Sequence, residues 1–596
     1  MKTNYRKSVL SLSLAVLIGC MSASADTDRT ITLSQNDFSV PAWTQLQRLV
    51  ATMPSASTPF SINMTVNGDP STRMGFAWFT NTGVSDGQVQ ILAKTGATDA
   101  DFANPDFTFP ATSSEVKGLN YSIEKNKLSG IEPNQKVDYT SHKAVAVGLA
   151  PATTYSYRVG KDDAWSEIGS FTTAPGQKDE SYSFIYITDT QAQYDGMFDV
   201  SQKTVHAAIS KVPDAAFVLC NGDLVETSGA SNSEWEYEQW FSTMQDVWMN
   251  YPLVVTMGNH DKSPNNNFAY HFNNATDFND RFSPGTDMNG TVFSFVRGDV
   301  LFLVISYEEW NKEGYFDSLA AWMRQEVEAH KDTKWRVAIF HKNMFTGSRS
   351  HQDDADGKAV RQAMLPVFNE LGINVALQGH DHIYEVIGPV NNLNKTLVEG
   401  SVEKVETVGD GGERENMTGK NGGVFDVSKG TLYFLNNSAG KKKYEPRTEA
   451  EMIASLGKHE IENYWGLFSG KFGQTGEPTF SRVDVTPETI TFSTYTVDDL
   501  GNASLFDKFS VVKGASSGIS SISASEAAAR IINNNGVVTV EGMNPENVKI
   551  YDLDGRCVAS ADNTAQVSVK QLAAGVYIVR AKQGAETCTA KIAIVG

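Results

Sequence analysis

Cysteine is scarce: the 596 residues contain four, Cys20, Cys220, Cys557 and Cys588. That count excludes a disulfide-stapled scaffold. Basic residues are also in short supply, with Lys plus Arg at 50 against 70 Asp plus Glu and a net charge of -20. Such a balance opposes attraction to phosphate backbones and anionic lipid, so nucleic acid is not an expected partner. Beyond the first 25 residues no stretch approaches the roughly 18 uncharged apolar residues of a membrane-spanning helix, and no transmembrane segment is expected. Only ten histidines occur, which makes their clustering informative. The chain is long enough for about three or four domains at roughly 150 residues each.

The N-terminus carries Lys2, Arg6 and Lys7, an apolar run from Val9 to Ile18, and Ala23-Ser24-Ala25. This order of charge, apolar core and small residues marks residues 1–25 as a secretory signal, so the mature chain is expected in the periplasm, at the cell surface or outside the cell. Leu17-Ile18-Gly19-Cys20 is also similar to a lipobox, which would make Cys20 an acylated first residue; cleavage after Ala25 is the other reading. Cys557 and Cys588 lie in strand-like stretches and could pair in an oxidising compartment, whereas Cys220 ends an apolar strand and reads as packing.

After an N-terminal extension over 26–60, residues 61–175 alternate in short segments broken by Gly, Asn and Pro, the pattern of an all-β sandwich. AVAVGLAPATTYSYRVG (144–160) and FTTAP (171–175) resemble the closing strands of fibronectin type III domains, in particular the one that precedes purple acid phosphatase catalytic domains. Over 181–513 the pattern changes to buried strands, SFIYIT (183–188), AFVLC (216–220), LVVTM (253–257), VLFLVIS (300–306), WRVAIF (335–340) and NVAL (374–377). Helical stretches at 200–212, 234–247, 317–330 and 358–371 lie between them, which predicts a layered α/β domain. The Gly/Ser-rich segment 514–525 reads as a linker, and 526–596 as a small C-terminal β-sandwich. VKIYDLDGR, LAAGVYIVRA and KIAIVG within it resemble the sorting domains of type IX secretion cargo, which implies a secretion machinery as partner.

Polar motifs follow the predicted strands one after another: Asp189; Gly222-Asp223; Gly258-Asn259-His260-Asp261; His341; and Gly379-His380-Asp381-His382. A lone Asp or His at a strand end is usually a turn former, but five such sites in register point to metal or catalysis at the carboxyl ends of a sheet. Two neighbouring cations repel, so a carboxylate between them, completed by imidazoles and an amide oxygen, suits a dinuclear site. Asp223 is the bridging candidate.

The order Asp, Gly-Asp, Gly-Asn-His-Asp, His, Gly-His-x-His resembles calcineurin-like metallophosphoesterases. The resemblance implies an αββα domain and two divalent cations (Zn, Mn or Fe), the first held by Asp189, Asp223 and His382, the second by Asp223, Asn259, His341 and His380. It also implies hydroxide generated at the metal pair, with His260 stabilising the phosphoryl group or protonating the leaving alkoxide, Asp261 holding its ring, and His351 a second candidate acid. Two positions depart from the pattern. Gln191 stands where His is frequent and is a possible auxiliary ligand. Glu226 stands where the purple branch has its tyrosine ligand, so a visible phenolate band is not expected; if one appeared, Tyr194 or Tyr384 would be the candidates.

Lys342, Asn343, Phe345 and Tyr384 flank the motifs. The segment 402–420 carries turn chemistry without an assignable pattern, and Lys441-Lys442-Lys443 reads as a solvated turn or as cations near a phosphate site. Together these features predict an exported phosphoesterase of small phosphate esters, first of all a phosphomonoesterase. The alternatives are a phosphodiesterase, a nucleotidase or a non-catalytic surface binding protein.

Overall fold

A computed structural model describes residues 57–121, 135–192, 198–227, 234–262, 267–278, 290–403, 423–514 and 530–594, with short breaks at 535–536, 542–543, 553–555, 574 and 584–585. The signal-like segment with Cys20, most of the extension, Tyr194, the residues around Gly409 and the Gly/Ser-rich linker lie outside the described residues.

The central domain is built on two stacked sheets. In the first, strands Tyr182–Ile187, Val218–Asn221 and Leu253–Thr256 run parallel and adjacent. In the second, Val300–Val304, Trp335–Ile339, Val375–Gln378 and Thr431–Asn436 do the same. Alternation along each strand sends one set of side chains between the sheets and the other outward. Phe184, Leu219 and Val254 meet Phe302, Val337 and Leu377 in the inter-sheet core. Ile185, Cys220 and Val255 face outward against Val205, Trp235 and Trp240 of helices Phe198–Lys211 and Glu234–Thr243. Leu301, Leu303 and Ala376 do the same against Leu319, Met323, Met364 and Phe368 of helices Tyr315–Ala329 and Ala355–Leu371. The order helix, sheet, sheet, helix is the expected αββα arrangement. The predicted helix 234–247 is divided, with Gln245–Trp248 a separate short piece.

The N-terminal domain is all-β, but one of its two sheets is not its own. Strand Phe60–Thr65 pairs in parallel with Leu253–Thr256 through Thr65 and Leu253, which joins Arg73–Asn81, Lys136–Val147 and Thr112–Asn120 to the central sheet in a single 12-stranded order. The opposing sheet contains Phe107–Pro110, Gln88–Leu92 and Thr154–Lys161, and Phe76, Trp78, Val89 and Tyr157 fill the space between.

At the C-terminus, strands Arg530–Asn534, Val537–Glu541 and Gln566–Ser568 form one sheet, and Cys557–Asp562, Asn547–Tyr551, Gly575–Gln583 and Glu586–Ile594 the other. Val538, Val567, Ile550 and Val579 pack between them. Cys557 and Cys588 lie on the two outer strands of the four-stranded sheet. Three strand spacings of about 4.8 Å separate those strands, well beyond the ~7 Å Cα limit for a disulfide. The pairing the sequence allowed would need these two strands to lie closer than this sheet order places them.

Candidate metal centre

Every candidate ligand follows the carboxyl end of a parallel strand. Asp189, Asp223 and Asn259 come from the first sheet, and His341, His380 and His382 from the second, so the two sheets deliver their motifs to one rim. Asp189, Asp223 and His380 have φ of 55°, 51° and 75°. Non-glycine residues adopt this left-handed region at a cost of order 1–3 kcal/mol each, and such strain concentrates at functional sites. Two glycines permit the close approach. A Cβ on Gly258 would lie 2.2 Å from Asp223 Oδ1, and one on Gly222, at φ 83°, 2.5 Å from the His341 ring.

The polar atoms converge. His341 Nε2 lies 3.1 Å from Asp223 Oδ2 and 3.9 Å from Asp189 Oδ1, and His382 Nε2 is 3.2 Å from Asp189 Oδ1. Donor atoms of Asp223, His341 and His380 all fall within 4.8 Å of one another. Second contacts fix their orientation. His341 Nδ1 donates to the Asn221 carbonyl at 2.8 Å and His382 Nδ1 to the Lys442 carbonyl at 3.0 Å, which turns both Nε2 lone pairs inward. Asp189 Oδ2 accepts from Thr188 Oγ1 at 2.7 Å and from the His380 amide at 3.1 Å, and Asp223 Oδ1 accepts from the His260 amide at 2.9 Å.

The residues fit bound cations. Asp189 Oδ1, Asn259 Oδ1, His341 Nε2 and His382 Nε2 are buried with no hydrogen-bond partner among the described residues, a state that ordinarily costs about 1–3 kcal/mol per group. Two donors ~2.1 Å from one tetrahedral or octahedral ion are about 3.0–3.4 Å apart, the range in which the His341–Asp223 and His382–Asp189 contacts fall. The electrostatics agree. Burial raises the Asp223 carboxyl, but His341 and His260 outweigh it and hold the carboxyl well below its usual range. Burial likewise opposes charge on His341, yet Asp223 and Asp189 keep its pKa at about 10. This pocket attracts positive charge.

Around this centre, His260 Nδ1 donates to the Glu226 carbonyl, and its Nε2 lies 3.9 Å from Asp223 Oδ2. Asp261 does not take the ring-holding role expected of it. Its carboxylate accepts from the Gly258 amide at 2.9 Å, the Leu224 amide at 3.1 Å and Tyr237 Oη at 3.3 Å, so it ties together the two loops that carry Asp223 and Asn259. His351 is brought to the site: its ring stacks on His380 at 4.0 Å and Nδ1 donates to Asp381 Oδ1 at 2.6 Å. Burial lowers the His351 pKa, but the Asp381 bond prevails and raises it.

Of the flanking residues, Tyr384 is buried and donates to Asp507 at 2.9 Å, away from the centre, and Phe345 belongs to the core. Lys342 pairs with Asp356 at 2.5 Å. Asn343 is buried, its amide without a partner. The sequence reading missed Tyr444, which stacks on His382 at 4.5 Å and meets His351 edge-on at 5.3 Å. It arrives on a loop after strand Thr431–Asn436, and the adjacent lysine run was its only signal.

A rim of Asp, Asn and His side chains at the carboxyl ends of parallel strands in two stacked sheets suits a metallophosphoesterase, and residues 182–384 match the calcineurin-like phosphoesterase family. Residues 59–173 match the purple acid phosphatase N-terminal domain and 533–595 a secretion system C-terminal sorting domain. The chain is therefore similar, over its central domain, to the calcineurin-like phosphoesterases, and its order of domains is similar to that of purple acid phosphatases. It is 24% identical over 330 residues to a phosphoenolpyruvate phosphatase of Allium cepa, covering 52% of this chain and 66% of that protein. It is 23% identical over 321 residues to Fe(3+)-Zn(2+) purple acid phosphatase 12 of Arabidopsis thaliana, covering 50% and 65%. The chain thus spans just under two thirds of these relatives. The solved purple acid phosphatase PPD1 of yellow lupin shares the fold, with a TM-score of 0.54 at 13% identity over 77% of this chain and 75% of that one.

Proposed function

We propose that the protein is an exported phosphoesterase that hydrolyses small phosphate monoesters at a dinuclear divalent metal site. The observation that carries this reading is a rim on which four buried donors, Asp189 Oδ1, Asn259 Oδ1, His341 Nε2 and His382 Nε2, have no well-formed hydrogen bond among the described residues. Asp189, Asp223 and His382 would hold one cation, and Asp223, Asn259, His341 and His380 the other, with Asp223 screening the pair. Bound divalent cations supply Lewis-acid polarisation of the phosphoryl oxygens and lower the pKa of water.

The chain's own groups do the rest. His260 gives its Nδ1 proton to the Glu226 carbonyl, which leaves Nε2 facing the phosphoryl group as a donor when protonated. His351 gives Nδ1–H to Asp381, whose charge favours the imidazolium, and its Nε2 can then protonate the departing alkoxide. The domains are assigned to 61–175, 181–513 and 526–596. The signal-like segment 1–25 and the C-terminal sorting domain support export through a secretion machinery, and no helix among the described residues is long and apolar enough to cross a membrane.

The test is hydrolysis of aryl phosphate, bis-aryl phosphate and nucleotides by purified protein, with metal content measured in parallel. Faster cleavage of the monoester at two metal equivalents per chain is expected. Diester preference would move the assignment within the superfamily, and bound metal without hydrolysis of any ester would overturn it in favour of a binding protein.

A further inference from the structure

Glu226 lies three residues beyond Asp223 with its side chain 16% exposed. Two neighbours hold its carboxylate. Gln191 Nε2 donates to Oε2 at 2.7 Å, and Lys442 Nζ donates to both oxygens at 3.2 Å. A side-chain amide has one donor end and one acceptor end, and a carboxylate only accepts. The Gln191–Glu226 bond therefore decides how the amide lies: Nε2 turns toward Glu226 and Oε1 turns away from it. That Oε1 is buried with no hydrogen-bond partner, in a residue 1% exposed and two positions beyond Asp189, whose Oδ1 is partnerless too.

We infer that Glu226 and Lys442 form a clamp that aims the Gln191 amide oxygen at the first cation, which makes Gln191 a ligand of that ion and Glu226 a positioning residue. The inference rests on the metal-site reading above. The clamp explains why a carboxylate here need not compete for the ion: the Lys442 ammonium neutralises it and Gln191 occupies one of its oxygens. It also explains the placement of Lys442, whose carbonyl accepts from His382 Nδ1. One residue then steadies two arms of the same coordination shell, His382 through its backbone and Gln191 through Glu226.

The test is equilibrium dialysis with Co(II) and its visible ligand-field spectrum, on the full chain carrying Gln191→Ala, Glu226→Gln, the double variant, or Lys442→Met. Outer contacts of metal ligands typically set affinity within about 10–100-fold. Gln191→Ala and Glu226→Gln are each expected to weaken one of two Co(II) equivalents by an amount in that range and to change the spectrum alike. The double variant should be no weaker than either single, because both changes remove one ligand. Lys442→Met, at a side chain 29% exposed, should move affinity in the same direction by less, and it remains informative if a buried substitution prevents folding. Additive losses, with Glu226→Gln the larger, would make Glu226 itself the ligand and overturn the inference. Two tight equivalents in every variant would reduce the cluster to an ion pair. A wild-type protein that binds no Co(II) would instead remove the metal-site reading beneath it.

Discussion

Tyr444 and His382 lie with ring centroids 4.5 Å apart and planes tilted by 27°, a geometry that bears on the colour of the protein. Tyr444 packs on the face of the His382 ring, not at its Nε2, the atom that would hold an ion. Burial, and behind it the charge of Asp189, also raise the phenol's pKa. The metallated, active protein should therefore show no visible phenolate charge-transfer band. A strong band that disappears in Tyr444→Phe would instead place this phenolate on the metal. The ligand candidates were legible because each follows an apolar strand and two of the motifs carry a glycine, Gly222 and Gly258, that the close contacts demand. Tyr444 was not, and Lys442 was legible only as one of two readings of its lysine run. They reach the site because Thr431–Asn436 pairs in parallel with Val375–Gln378, a long-range register that leaves no local mark in the sequence. Asp261 was legible as a site residue but not in its role, since its backbone partners are specified by loop geometry.

Helix Glu234–Thr243 begins Glu-Trp-Glu-Tyr-Glu, and all three glutamates are buried. Buried carboxylates ordinarily need partners, and these have them in three directions. Glu234 meets His271 at 2.7 Å. Glu236 accepts from the Glu226 and Thr227 amides at 2.9 Å each. Glu238 accepts from Tyr121 at 2.9 Å and from Tyr139, both in the N-terminal domain. The helical stretch was read from the sequence, but nothing there assigned its glutamates. Burial raises Glu236 to about 7 and Glu238 to about 8 from an ordinary value of 4.5, with the hydrogen bonds to Thr227 and Tyr139 pulling the other way. Between about pH 4.5 and 8 the folded chain thus holds more protons on these groups than the unfolded chain, and stability falls as pH rises through that window. The effect is on the order of a few kcal/mol. Thermal melts from pH 5 to 8 should show the decline, and Glu238→Gln, which keeps a neutral group of the same shape, should flatten it. An unchanged slope in that variant would assign the dependence elsewhere.

At the scale of the whole chain, composition and turn spacing separated three β or α/β regions but not how they join. The N-terminal region reads as a self-contained sandwich, yet it shares a sheet with the central domain through the Thr65–Leu253 pairing. Side chains seal the junction. Asn63 Nδ2 donates to the His271 carbonyl at 2.9 Å, Thr65 Oγ1 and Asn67 Nδ2 to the Asn273 carbonyl at 2.7 Å each, and Tyr157 Oη to the Met249 carbonyl at 3.1 Å. Lys143, with its pKa lowered by burial to about 8, donates to the Phe272 carbonyl at 2.7 Å. Among the described residues the C-terminal strands, by contrast, pair only among themselves.

Truncations at the two ends should therefore behave differently. Removal of 26–175 would leave Leu253–Thr256 as an open sheet edge and strip Glu238 of both tyrosines, which favours aggregation through edge pairing and leaves a buried carboxyl unpartnered. The remaining chain is expected to be insoluble or to melt well below the intact protein. Removal of 526–596 touches no strand of either central sheet, so melting temperature and phosphatase activity should stay within error while the site of accumulation in the producing cell changes. A soluble, fully active chain beginning at 176 would show that the shared sheet is dispensable, and loss of activity on tail removal would show that the sorting domain supports the catalytic fold.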